Sequence, residues 1–122
     1  MLTELQITNV QKKVEPLRDE LGLCDAFRIL GDWNRYRMMK ALLEAKELCV
    51  SDISHIVGIS MSATSQHLRI LELSGFVESH RMGQTICYKP IINNPKIKPI
   101  LKLIWCTVGN NHLVNNHTDH EA

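Results

Sequence analysis

The chain has 122 residues, 44% of them hydrophobic and 22% charged, which fits one domain with a real core and excludes a disordered polyelectrolyte. Lys and Arg number 14 against 13 Asp and Glu, a net charge of +1, so any affinity for nucleic acid must come from local placement rather than bulk charge. No apolar run approaches the ~20 residues of a membrane span, the residues after Met1 form no signal region, and the four cysteines, Cys24, Cys49, Cys87 and Cys106, lie far apart; the expectation is a cytoplasmic protein without a membrane partner, whose isolated cysteines serve by default as small core residues.

Residues 1–15 carry Leu2, Leu5, Ile7, Val10 and Val14 among polar neighbours and read as an N-terminal arm or helix. Pro16 suits a helix start. On the helix after it, Leu17, Leu21, Cys24 and Arg28 share a face, flanked by Phe27. Gly31-Asp32 closes that helix, and Asp32 can cap the next. Residues 33–46 have an apolar stripe of Tyr36, Met39 and Leu43 beside Leu42, with Arg35, Arg37, Lys40 and Glu44 toward solvent. Residues 47–52 tolerate β structure, and Ser51 or Asp52 can cap a short helix through Ile53, Ile56 and Val57 that Gly58 ends. Ser60 caps a further helix over about 61–74, closed by Gly75. The period then changes: 76–81 and 85–89 read as strands joined through Met82-Gly83-Gln84. Pro90 and Pro95 bracket a linker before a last helix ending at Val108. Residues 110–122 form a polar, His-bearing tail, expected to be flexible.

This order predicts a single, mainly α domain with a small β-hairpin: a helix-turn-helix followed by a wing. On the helix from Met61, the positions Ser62, Ser65, Gln66 and Arg69 share one face, while Leu68 and Leu71 point to the core with Thr64 beside them. Short hydrogen-bonding side chains with one cation suit a major groove: Gln pairs with adenine, Arg with guanine or phosphate, and Ser with either. The face has no acidic residue before Glu72 and begins at a helix N-terminus, which attracts phosphate. Ser60 at the cap, and Arg81 and Gln84 in the wing, complete the candidate set for double-stranded DNA. The alternative is a winged-helix protein–protein module without DNA binding, which would more readily show exposed aromatics. Nothing supports an enzyme: there is no nucleophile–base spacing, phosphate-cradling loop or carboxylate pair.

The sequence resembles the ArsR/SmtB family of winged helix-turn-helix repressors over about residues 23–106. The resemblance lies in Leu30-Gly-Asp-Trp-Asn-Arg-Tyr-Arg37, Glu47-Leu-Cys-Val-Ser-Asp-Ile53, Ser60-Met-Ser-Ala-Thr-Ser-Gln-His-Leu68, Leu71-Glu-Leu-Ser-Gly-Phe-Val77 and Arg81-Met-Gly-Gln-Thr-Ile-Cys-Tyr88. The family pattern usually has Pro where Trp33 stands. The resemblance implies a homodimer paired through its first and last helices, reading an inverted-repeat operator. Leu17 and Leu21 on the first, with Ile97, Leu101, Ile104 and Val108 on the last, are the candidate dimer residues, although packing within one chain fits the same stripe.

The resemblance also implies release of DNA on sensing a metal ion or a thiol-reactive species. Cys49 matches the family's thiolate position, but its second thiolate position is Ser51, and one soft ligand does not hold a tetrahedral metal. The start of the last helix has no Asp, Glu or His. His112, His117 and His120 of the tail are the remaining candidates for zinc, nickel or another metal. Thiol switching, with no metal at all, would use Cys106, which matches a family position near the end of the last helix. Its usual partner in the second helix is missing, and Cys24 is the candidate replacement.

Overall fold

A computed structural model describes residues 1–16 and 20–108, without the side chain of Leu21. The order is α1 (Glu4–Val14), α2 (Glu20–Leu30), α3 (Trp33–Ala45), β1 (Leu48–Cys49), α4 (Val50–Val57), α5 (Met61–Leu73), β2 (Val77–Met82), β3 (Thr85–Pro90) and α6 (Lys98–Val108). The expected mainly helical architecture with a hairpin wing is what the chain adopts. The expected N-terminal arm or helix is a helix. Thr3 caps it: its hydroxyl accepts from Gln6 N at 3.2 Å while Gln6 Oε1 accepts from Thr3 N at 2.8 Å. No residue of α1 is buried.

The core gathers around α3, whose Met38, Met39 and Leu42 are fully enclosed. Ala26, Ile29 and Leu30 of α2, Ile53 of α4, Leu68 and Leu71 of α5, Phe76, Val77 and Tyr88 from the wing, and Ile100, Leu101 and Ile104 of α6 complete it. Each large apolar side chain buried this way contributes about 1.5–3 kcal/mol. One expectation needs correction here. The inward face of α2 is set by Ala26, Ile29 and Leu30, one helical step from the face through Cys24 and Arg28, so Cys24 is exposed and Phe27 is 54% exposed. Ile97, Leu101 and Ile104, named as dimer candidates with packing inside one chain as the alternative, are 2–5% exposed within a single chain because α6 lies against α3 and α2. Val108 is half-buried against the same core. Leu17 lies outside the described residues, as does the side chain of Leu21.

Three antiparallel strands run in the order β1-β3-β2. The hairpin register extends from Val77↔Pro90 to Met82↔Thr85, and Gly83 at φ +64° makes the turn that a side chain would disfavour. The β-tolerant segment joins this sheet as an edge strand, with Leu48↔Tyr88 and Cys49↔Cys87 as facing pairs. Neither Ser51 nor Asp52 is the cap of α4. The helix begins at Val50 with Cys49 as N-cap, and Asp52 accepts the Cys49 N–H at 3.3 Å as the third residue in. Of the apolar residues of α4, Ile53 and Val57 are buried and Ile56 is 51% exposed.

Candidate nucleic-acid interface

The turn between α4 and α5 is built by local hydrogen bonds. Gly58 ends α4 in the left-handed conformation, Ser54 Oγ donates to Ile59 O at 2.6 Å, and Ser60 Oγ accepts from Ala63 N at 3.1 Å to start α5. Thr64, fully buried, donates its hydroxyl to Ser60 O at 2.8 Å, so its polar atom enters the core already satisfied. With Thr64, Leu68 and Leu71 inward, the opposite face of α5 presents Ser62, Ser65, Gln66 and Arg69 to solvent. The first acidic residue of α5, Glu72, accepts from Ser79 Oγ of β2 at 2.6 Å, which ties the helix to the wing.

Arg81, Gln84 and Thr85 are exposed on the wing, and Thr85 Oγ1 donates to Met82 O at 2.8 Å across the turn. Gln84, Thr85 and Ile86 form one wall of a hollow of about 270 Å³ whose other walls are Met61 and Ser65 of α5 and the segment Cys49-Val50-Ser51. The fold thereby sets the start of α5 and the wing tip side by side.

Polar contacts behind α5 fix its orientation. Arg35, expected toward solvent, instead donates from Nε to Ile29 O at 2.7 Å and places Nη1 3.2 Å from His67 Nδ1. Asp32 caps α3 as expected, accepting from Asn34 N at 2.9 Å and Arg35 N at 3.1 Å. The hydrogen bond from the Arg35 backbone, with smaller help from the charges of Arg35 and His67, holds the Asp32 carboxyl below its ordinary value despite partial desolvation. Trp33, at the position where Pro was expected, stacks near Tyr36 with ring centroids 6.0 Å apart and carries the Arg37 guanidinium 5.8 Å from its own centroid.

The cysteines do not fall as expected. Cys49 is neither a lone ligand nor a lone core residue: it forms a disulfide with Cys87, with Cα atoms 3.9 Å apart. Cys24 and Cys106 are free and exposed, and Cys24–Cys106 is not the linked pair. Cys87 went unassigned because only the pairing of β1 with β3 brings it to Cys49, 38 residues away in sequence. Among the described residues, no group of three or more His, Cys, Asp or Glu side chains could hold a metal ion. Two sulfurs and the Ser51 hydroxyl do not make the closed tetrahedral set that zinc needs. His112, His117 and His120 lie outside the described residues.

Residues 32–79, which hold α3, α4, α5 and the start of the wing, match the pattern of the bacterial regulatory proteins of the arsR family. The chain is 42% identical over 77 residues to the cadmium resistance transcriptional regulatory protein CadC of Listeria innocua, covering 63% of each chain. The chain belongs to the ArsR/SmtB family. An SmtB homolog from Synechocystis, a transcriptional repressor, is 36% identical over 83 residues, covering 68% of this chain and 62% of its own. The chain thus spans just under two thirds of the length of these relatives. Among solved structures, reduced HlyU from Vibrio cholerae superposes with a TM-score of 0.63 at 25% identity, covering 71% of this chain and 88% of that one. The ArsR/SmtB winged helix is therefore common to the sequence and the fold. No described helix is long and apolar enough to cross a membrane.

Proposed function

We propose that this ArsR/SmtB protein is a cytoplasmic transcriptional repressor that binds double-stranded operator DNA and is not an enzyme. The observation that carries the reading is the solvent face of α5, where Ser62, Ser65, Gln66 and Arg69 stand together with no acidic neighbour before Glu72. Ser60 brings the backbone N–H groups at the start of α5 to the same surface, where a phosphate is favoured. Gln66 and Arg69 read base edges, and Arg81 and Gln84 in the wing hold the adjacent backbone or minor groove.

The working unit is a homodimer. Phe27 and Leu103 are 54% and 61% exposed at the edge of an apolar hollow of about 440 Å³ that Leu30, Tyr36, Ile100 and Ile104 also line. A second copy would cover this patch and set two recognition helices on an inverted repeat. The effector is a metal ion or a thiol-reactive species, and the sulfur pair of Cys49 and Cys87 is the feature among the described residues that suits the second.

The test is a mobility shift with duplex DNA from upstream of the protein's own gene, in competition with an unrelated duplex of equal length. Preferential retention of the upstream duplex is expected. Equal affinity for both duplexes, or none for either, would refute the repressor reading.

A further inference from the structure

The geometry points to Cys49 and Cys87 as a reversible two-electron redox site, oxidised by a hydroperoxide, that lies between the recognition helix and the wing and sets operator affinity. This rests on the repressor reading above and names the effector class for it. Three observations meet at the pair. The two cysteines face each other in the β1–β3 register. Cys87 is buried at 2% exposure while Cys49 is half-buried and lines the hollow shared by Ser65 and Gln84, so a small oxidant reaches Cys49 first. Cys49 is also the N-cap of α4, so the pair sits where that helix begins.

The chemistry balances. The Cys49 thiolate attacks the outer peroxide oxygen; an S–O bond forms, the O–O bond breaks, and the departing alkoxide takes a proton as an alcohol. The Cys87 sulfur then attacks the resulting sulfenic acid at sulfur. An S–S bond forms, the S–O bond breaks, and hydroxide leaves with the Cys87 proton as water. Two thiols lose two electrons to one hydroperoxide, and an external dithiol reverses the change by exchange.

The link is placed to matter. The link joins β3 to the residue that starts α4, so it ties the hairpin to the base of the helix-turn-helix. Gln84 and Thr85 belong to the hairpin that contains Cys87, and Ser65 stands across the hollow from them. Oxidation thus constrains the hairpin against the start of α4, beside the hollow across which the wing tip and the recognition helix face each other. The dithiol form is the DNA-holding state and the disulfide form releases.

The experiment uses the full chain carrying Cys24→Ser and Cys106→Ser, treated with hydrogen peroxide and then with dithiothreitol. Peptide mapping without reductant should join the Cys49 and Cys87 peptides of one chain. Affinity for the upstream duplex should fall about tenfold or more on oxidation and return on reduction. Adding Cys87→Ser should leave the reduced affinity unchanged and abolish the response, with Cys87→Ala as the second variant should serine in this buried place unfold the wing. Sulfinic acid or cross-links between chains in place of the internal disulfide would overturn the site. The internal disulfide with unchanged affinity would overturn its coupling to DNA. Loss of DNA binding in both redox states would count against the repressor reading instead, and the peptide map would then decide the redox site by itself.

Discussion

Arg35 Nη1 lies 3.2 Å from His67 Nδ1, so the recognition helix is held from behind by a residue of α3 that also binds the last turn of α2 through Ile29 O. One guanidinium therefore joins three helices. Only a fork of several N–H donors reaches both acceptors at once, and lysine offers a single point of charge. Arg35→Ala should lower stability by about 1–2 kcal/mol, because Ile29 O loses its charged donor and the aliphatic stem leaves its packing. Arg35→Lys should recover less than half of that. Urea unfolding followed by circular dichroism measures both, and an unchanged midpoint for Arg35→Ala would mean that α5 is held by apolar packing alone.

The same turn carries a pH signature. Asp32 caps α3, and its carboxyl lies below the ordinary value of 3.8 chiefly through the Arg35 backbone hydrogen bond. A carboxyl whose folded pKa is depressed stabilises the fold fully above the unfolded value and loses that contribution as pH falls through the folded one. Asp32→Ala should therefore cost about 1 kcal/mol at neutral pH, as for other N-caps. The gap from the parent should close as pH falls below 3.8. Paired melts across that range measure it, and a gap independent of pH would assign the effect to helix propensity instead of the charged cap.

Residues on α6 separate folding from association. Ile104 is 2% exposed and Leu103 is 61% exposed, although they are neighbours in sequence. Ile104→Ala should cost about 2–5 kcal/mol by opening a cavity against α3. Leu103→Glu should leave the melting temperature of the monomer nearly unchanged and shift sedimentation from dimer to monomer. A dimer that survives Leu103→Glu paired with Phe27→Glu would move the interface elsewhere.

Periodicity explains both the elements that were legible and the faces that were not. The helix boundaries at Asp32, Gly58 and Ser60, and the hairpin turn at Gly83, follow from capping and turn chemistry local to each residue, and they agree with the structure. The inward face of α2 does not follow from the regular spacing of Leu17, Leu21 and Cys24, because Ala26, Ile29 and Leu30 are the residues buried there. The cover of the α6 stripe is not legible in the sequence, because the same spacing suits α3 or a second chain; in the structure α3 and α2 lie against it. Cys87, Arg35 with His67, and the 2.6 Å contact of His80 Nε2 with Glu47 all depend on pairings between distant segments. Alternation identifies a strand, whereas only its register identifies the facing residue.

Gln66 and Arg81 should divide specificity from affinity. Gln66 stands exposed in the middle of α5, on the face that carries Ser62 and Arg69, where a side-chain amide can meet a base edge by two hydrogen bonds. Gln66→Ala should weaken operator binding by about 1–3 kcal/mol and relax the preference at one base-pair position. Arg81 stands on β2, exposed and facing Ile86 in the register, and in the proposed reading it meets backbone charge. Arg81→Ala should weaken binding to all duplexes alike and reduce the salt dependence by the equivalent of about one phosphate contact. Anisotropy titrations at several salt concentrations, on the upstream duplex and single-base variants of it, separate the two. If Gln66→Ala flattened the salt dependence while Arg81→Ala relaxed the base preference, the roles of helix and wing would be exchanged, and the wing would be the reading element.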